Sequence, residues 1–123
     1  IAPARALDAT SPGWSAQHGP KDVILLVNLL HLISAYEVTA ILTEATQALA
    51  PGGVLFLYGP FRRDGLLTSA GDRRFDAELR GADPAIGYKD TRDIARWLDA
   101  AGLAPEAPTD MPANNLIFIA RKA

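Results

Sequence analysis

Asp22-Val23-Ile24-Leu25-Leu26-Val27-Asn28, followed by Leu29-Leu30-His31-Leu32, decides how the chain is read. Residues 23–27 are an unbroken apolar run without polar alternation, the pattern of a strand covered on both faces in the middle of a parallel sheet. The β-branched residues and the abrupt polar end favour a strand over a short buried helix. Ligands of open α/β sheets sit outside the carboxyl ends of the strands, so Asn28 and His31 become the first candidates for function.

Downstream, Ser34-Ala35-Tyr36-Glu37 has the form of a capping box and predicts a helix start. Val38, Ile41, Leu42, Ala45 and Leu49 share one helical face, while Glu37, Thr43, Glu44 and Gln47 take other positions. Pro51-Gly52-Gly53 is expected to end that helix, and residues 54–58 read as a second apolar strand closed by Gly59-Pro60-Phe61. Strand, helix, strand at this spacing is a right-handed crossover between two parallel strands. A short helix is expected over residues 69–80, and another from Asp90, carried by Ile94, Trp97, Leu98 and Ala101 and ended by Gly102. Residues 103–107, limited by Pro105 and Pro108, and residues 116–120 are expected to form an antiparallel pair.

Upstream of the opening run, residues 1–7 read as a strand in progress, demoted by Pro3 to a strand start or an edge. Residues 10–20 carry Pro12, Gly13, Gly19 and Pro20 and read as loop, with Trp14 as its anchor and His18 solvated. The chain opens on isoleucine within this strand pattern, which suggests a fragment of a longer protein. The expected organisation is one domain, residues 1–123.

The 123 residues are 49% apolar and 21% charged, enough for a real core. Twelve Lys plus Arg against fourteen Asp plus Glu leave a net charge of −2, so charge does not argue for nucleic acid or an anionic membrane. Without cysteine there is no disulfide framework or thiolate chemistry, and two histidines without a ligand cluster argue against structural zinc. A reducing cytoplasm fits this composition, and no apolar stretch approaches the roughly 20 residues of a membrane span.

Leu7-Asp8, Asn28-Leu29-Leu30-His31, Tyr58-Gly59-Pro60-Phe61, Phe75-Asp76 with Leu79-Arg80, Asp90, and Met111-Pro112-Ala113-Asn114-Asn115 follow one another in that order. In these words the chain resembles the methyltransferase-like protein 26 family, within the class I S-adenosylmethionine-dependent methyltransferases. The resemblance implies an α/β, Rossmann-like, mostly parallel sheet ending in an antiparallel hairpin, a partial class I methyltransferase fold. It implies the carboxyl-terminal portion of such an enzyme. No glycine-rich G-x-G-x-x-G turn is present to approach the cofactor's methionine end.

Carried over by position, the resemblance sets Asp8 and Ala9 against the adenine of S-adenosylmethionine, and Asn28 with the backbone of Leu29 beneath the sulfonium. Asp8 has the alternative of a turn or cap aspartate, and Asn28 that of a turn former. His31 is the candidate base or substrate orienter, since an imidazole of pKa about 6.5 exchanges protons near neutrality; its rival is a core histidine. Tyr58 and Phe61 flank a rigid turn and could wall a flat substrate's pocket or simply pack. Asn114 and Asn115 offer carboxamides to a substrate, although turn chemistry accounts for one of them. Phe75, Asp76, Arg80 and Asp90 read as a lid network, with a solvated surface ion pair as the competing reading.

The expected reaction is methyl transfer to a nucleophilic oxygen or nitrogen of a small molecule. The Asn-Leu-Leu-His step does not resemble the acidic-Pro-Pro-aromatic motif of nucleobase amino methylation, so nucleic acid is not favoured. A non-catalytic Rossmann-like interaction module and a dinucleotide-dependent oxidoreductase are the alternatives. If residues 1–8 are the third strand of such a sheet, the strand over residues 23–27 lacks its neighbours and shows an open edge, a route to a homo-oligomer. Self-association, or a segment absent from this sequence, is expected to cover that edge rather than a stable isolated monomer of 13.1 kDa; light scattering across a concentration series checks this, and a monodisperse folded monomer at low concentration would refute it.

Overall fold

A computed structural model of the protein describes residues 3–123. The main elements are β1 (Lys21–Val27), α2 (Ala35–Ala48), β2 (Leu49–Gly59), α3 (Ala70–Ala82), α4 (Thr91–Ala100), β3 (Leu103–Pro105), β4 (Thr109–Met111) and β5 (Asn115–Lys122), preceded by a single helical turn, α1 (Ser15–His18). The sheet runs β1-β2-β5-β3, with β4 also paired to β5. β1 and β2 are parallel, Val23 beside Val54 and Val27 beside Tyr58, with α2 as the connection. β5 is antiparallel to β2, β3 and β4. This is the expected α/β architecture, a parallel pair followed by antiparallel strands.

The helices start where side chains can satisfy their first amides. Ser34 accepts from the Glu37 amide while Glu37 accepts from the Ser34 amide, the complete capping box. Ser69 caps α3 through Asp72, and Asp90 caps α4 through Arg92. Val38, Ile41, Leu42, Ala45 and Ala48 from α2, with Ile94 and Leu98 from α4, are buried. Of these, Val38, Leu42, Ala45, Ile94 and Leu98 join the core cluster around Leu55 and Leu57 of β2, Leu103 of β3, and Leu116, Phe118 and Ala120 of β5. Successive strand residues alternate between faces, so both helices cover the same face of the sheet.

The other face decides how β1 must be read. Val23, Leu25 and Val27 are 57%, 58% and 49% exposed, and only Ile24 and Leu26 pack towards the core. Their neighbours on that face, Val54, Phe56, Tyr58, Ile117 and Ile119, are half-buried. The expectation of a central strand covered on both faces is therefore corrected. Among the described residues β1 is an edge strand paired only with β2, and its unbroken apolar run has one covered face.

Four boundaries also move. Residues 3–7 form no strand, and the Ile1-Ala2 part of that expected strand lies outside the described residues. The loop over residues 10–20 contains α1, and Glu44, placed off the apolar face of α2, is buried because it accepts from the Gly13 amide at 2.9 Å and the Ser15 amide at 3.1 Å. Pro51-Gly52-Gly53 does not end α2; the helix stops at Ala48, and these three residues lie within β2, where the β1 register shifts. β4 forms between the two segments expected to pair, where the sequence reads as a turn over residues 109–115. Trp14 does anchor its loop: it packs on the core and donates from Nε1 to the Ala9 carbonyl at 3.0 Å.

The two faces of the sheet carry unequal weight. Leu57→Ala is expected to cost about 2–5 kcal/mol of unfolding free energy, whereas Leu25→Ala costs less than about 1 kcal/mol. Urea denaturation of both variants checks this; equal losses would mean that the open face is packed in solution.

Candidate functional site

β1 and β2 run parallel, so the segments after Val27 and after Tyr58 leave the sheet at the same end. Asn28 takes the left-handed conformation, φ 53°, and its amide donates to the Tyr58 carbonyl at 2.8 Å. This left-handed residue turns the chain into a 3-10 turn over Leu30–Leu32. The Asn28 side chain is exposed and has no hydrogen-bond partner among the described residues. Leu29 precedes the turn as its cap residue.

His31 is 6% exposed, enclosed by the edges of Phe75 at 5.7 Å and Tyr88 at 5.9 Å between ring centroids. Its carbonyl accepts from the Gly87 amide, but its ring makes no hydrogen bond within the described residues. Burial, and then the neighbouring Lys89 ammonium, push the His31 pKa below the usual imidazole value, so the ring is neutral at pH 7. Phe75, the outermost ring of this group, is 38% exposed.

Behind these rings lies a polar network organised by two α3 carboxylates. Asp76, whose side chain is 4% exposed, accepts from Arg62 Nη2 at 2.8 Å, Arg80 Nε at 3.1 Å and the Tyr88 amide at 2.8 Å. Burial raises its pKa, but the Tyr88 amide and the two guanidiniums more than offset this and hold it below the ordinary carboxylate value. Asp72 accepts from the Tyr88 hydroxyl at 2.7 Å, Ser69 Oγ at 2.8 Å and Asn114 Nδ2 at 2.6 Å, again with a lowered pKa despite burial. Burial and the Asp72 carboxylate in turn raise the Tyr88 pKa, so its hydroxyl stays protonated. Gly87 holds the crossing point with φ 127°; a Cβ there would sit 2.9 Å from Arg80 and Asp76 atoms.

Lys89 is 8% exposed, and its Nζ donates to the Ile33 and Gly87 carbonyls. Burial, and secondarily Arg80, bring its pKa down to about 8. Lys89, Tyr88, Asp72 and Arg62 were not singled out from the sequence, because they lie in irregular segments or on a polar helix face where no periodicity marks them. The Gly87-Tyr88-Lys89 run ahead of the Asp90 cap was the available signal.

The remaining candidates separate. Asp8 is exposed, and its carboxylate accepts from the Thr10 hydroxyl at 2.6 Å, the Thr10 amide at 3.0 Å and the Ser11 hydroxyl at 3.1 Å, which lower its pKa. Ala9 is half-buried, its carbonyl engaged by Trp14. Phe61 is 5% exposed and meets Phe118 edge-on at 5.1 Å, so it belongs to the core rather than to an open pocket wall. Asn114, φ 60°, donates to Thr68 and Asp72 and thereby ties the segment before β5 to α3. Asn115 Nδ2 donates to the Tyr58 hydroxyl at 3.3 Å and the Pro112 carbonyl at 3.2 Å. Of the proposed lid, Arg80, its side chain 41% exposed, pairs with the buried carboxylate of Asp76, while Asp90 is the cap of α4 and pairs with Arg92. Among the described residues no helix is long and apolar enough to cross a membrane.

Residues 1–122 match the model of a protein family described as "Protein of unknown function (DUF938)". The chain belongs to the DUF938 family. Solved structures share its fold. An O-methyltransferase family protein from Burkholderia thailandensis aligns with a TM-score of 0.77 at 21% identity, over 95% of this chain and 34% of its own. Human N-acetylserotonin methyltransferase in complex with SAM aligns with a TM-score of 0.76 at 16% identity, over 97% and 33%. An O-methyltransferase family 2 protein from Planctomyces limnophilus in complex with apigenin does so with 0.76 at 20% identity, over 85% and 31%. The DUF938 chain thus shares the fold of one part of these methyltransferases and spans about a third of their length.

Lys89 makes a signed prediction. Its proton is held less tightly in the folded protein than in the unfolded chain, where the value is 10.5, so the folded state binds fewer protons between pH 8 and 10.5 and stability rises with pH there. The rise assigned to Lys89 is on the order of 2–3 kcal/mol. Denaturation of the protein and of Lys89→Met across that window is expected to show the rise in the former only; parallel curves would contradict the buried placement of Nζ.

Proposed function

We propose that this chain is the carboxyl-terminal portion, over residues 1–123, of an S-adenosylmethionine-dependent methyltransferase acting on a nucleophilic oxygen or nitrogen of a small molecule. The observation that carries the reading is His31: a buried, neutral imidazole without a protein partner, at the end of the sheet where class I folds bind their ligands. The fold shared with O-methyltransferases supports the general class, and the sequence resemblance to the methyltransferase-like protein 26 family supports the role of the Asn28–His31 step.

The residues present fit one flank of the cofactor. Asn28, exposed and without a hydrogen-bond partner, has the donor and acceptor to line it, with the Leu29 backbone alongside. Asp8 is ionised and exposed, but must share its oxygens with Thr10 and Ser11 to take the adenine amine beside Ala9. When bound, S-adenosylmethionine supplies an electrophilic methyl group with a neutral thioether as leaving group.

Within this reading His31 accepts the proton of the acceptor's hydroxyl or amine, for which its lowered pKa keeps the ring ready at neutral pH. Phe75 and Tyr88 limit water around the ring and fix its plane. Tyr58, its oxygen already receiving a bond from Asn115, retains its own proton to orient an acceptor oxygen. Phe61 contributes by supporting the Pro60 turn from the core, and Asn114 by holding α3 against the segment before β5. Most of the rate would come from positioning.

Calorimetric titration of S-adenosylmethionine into the longest natural form of the protein tests this. Saturable heat is expected, weakened by Asn28→Ala and unchanged by His31→Gln. With a panel of phenols and amines as acceptors, His31→Gln is expected to lower turnover by about 10²–10⁴-fold. Absence of both heat and thermal shift would favour a non-catalytic module on the same fold.

A further inference from the structure

A cavity of about 520 Å³ opens between the start of α2, the Gly87–Asp90 segment and the first turns of α4. Arg62, Arg80, Tyr88, Lys89 and Trp97 are among its lining residues, and His31, Asn28 and Tyr58 are not. We propose that this cavity binds a small organic carboxylate with an apolar body, at a site that shares its Tyr88 and Lys89 wall with the proposed methyl-transfer site but is not lined by His31.

Matching the donors and acceptors along its wall leads to this ligand. Asp76 is saturated by Arg62 Nη2, Arg80 Nε and the Tyr88 amide. Asp90 is saturated by the Gly65 and Arg92 amides and the Arg92 guanidinium. Asp93 holds Arg96 through Oδ1 at 2.7 Å and keeps its second oxygen open. On the cationic side, Arg62 uses Nη2 on Asp76, and Arg80 uses Nε on Asp76 and Nη2 on the Tyr88 carbonyl. Lys89 uses two of its three protons on the Ile33 and Gly87 carbonyls. Nη1 of both arginines and the third Lys89 proton have no acceptor among the described residues.

Open donors on Arg62, where the buried Nε is also unpartnered, on Arg80 and on Lys89 therefore outnumber the one open Asp93 carboxylate oxygen in the same lining. Neither guanidinium keeps a free fork, so the match is to a carboxylate whose two oxygens accept single charge-assisted bonds from separate cations. Trp97, Ile86, Ala35 and Ala85 add apolar surface to the lining, so an organic body gains burial that a bare inorganic anion would not. Lys89 is the deepest of the cations, and its fixed bonds to two main-chain carbonyls hold it in place before any ligand arrives.

The test is a heteronuclear NMR titration of the 123-residue chain at constant ionic strength with benzoate, with benzyl alcohol as its neutral counterpart and with inorganic phosphate. Saturable shifts are expected with benzoate at the Trp97 indole and the amides of residues 86–89, with benzyl alcohol and phosphate at least about tenfold weaker. Ala85→Asp adds a carboxylate at an exposed wall position, so the fold should be retained while benzoate binds about tenfold more weakly. Arg80→Gln is expected to weaken benzoate similarly, its fold being read from the same spectra. No saturable shift with benzoate, equal binding of benzyl alcohol, equal binding of phosphate, or an unchanged affinity in Ala85→Asp would each overturn the proposal.

Discussion

The buried carboxylate of Asp76 is the constraint on which the site end of the molecule depends. A charge taken from water is tolerated only when its oxygens are filled, and here three segments far apart in sequence fill them: Arg62 after β2, Arg80 one turn along α3, and the Tyr88 amide. Because α3 makes few contacts with the core, this ionic knot fixes its position more than apolar packing does. Tyr88 is thereby held with its hydroxyl on Asp72 and its ring against His31. The placement of the candidate base thus follows from the satisfaction of a carboxylate on another element.

The same geometry explains why a lysine lies within the protein. Lys89 reaches inwards because the Ile33 and Gly87 carbonyls, left over where irregular segments meet, require donors. Its presence beside His31 disfavours a second positive charge, so burial and Coulomb repulsion act together to keep the imidazole neutral. A polar layer that closes the end of the sheet therefore also sets the protonation state of the residue most suited to chemistry.

The sheet beneath is two-sided in composition but one-sided in packing. α2 and α4 bury Leu55, Leu57 and Phe118 on one face, whereas Val23, Leu25 and Val27 stand open on the other, beside an unpaired β1 edge. Apolar surface and unpaired backbone groups of this kind invite association. The apolar run that reads as doubly covered thus has one covered face and, among the described residues, one hydrogen-bonded neighbour.

The amino-acid sequence by itself determined the local structure: the Ser34-Glu37 capping box, the helix starts at Ser69 and Asp90, the apolar faces of α2 and α4, and the parallel β1 and β2 with an antiparallel close. These are nearest-neighbour effects, and spacing alone encodes them. It also marked Asn28, His31 and Tyr58 as lying at one end of the sheet, since parallel strands joined by a helix finish on the same side. Only the tertiary structure decided that Phe61 is core, that Asn114 serves Asp72, that Arg80 meets a buried Asp76 carboxylate, and that Lys89 adjoins His31. Those outcomes depend on which unsatisfied donors and acceptors meet across loops of irregular backbone. No periodicity carries that information, because it exists only once the segments are brought together.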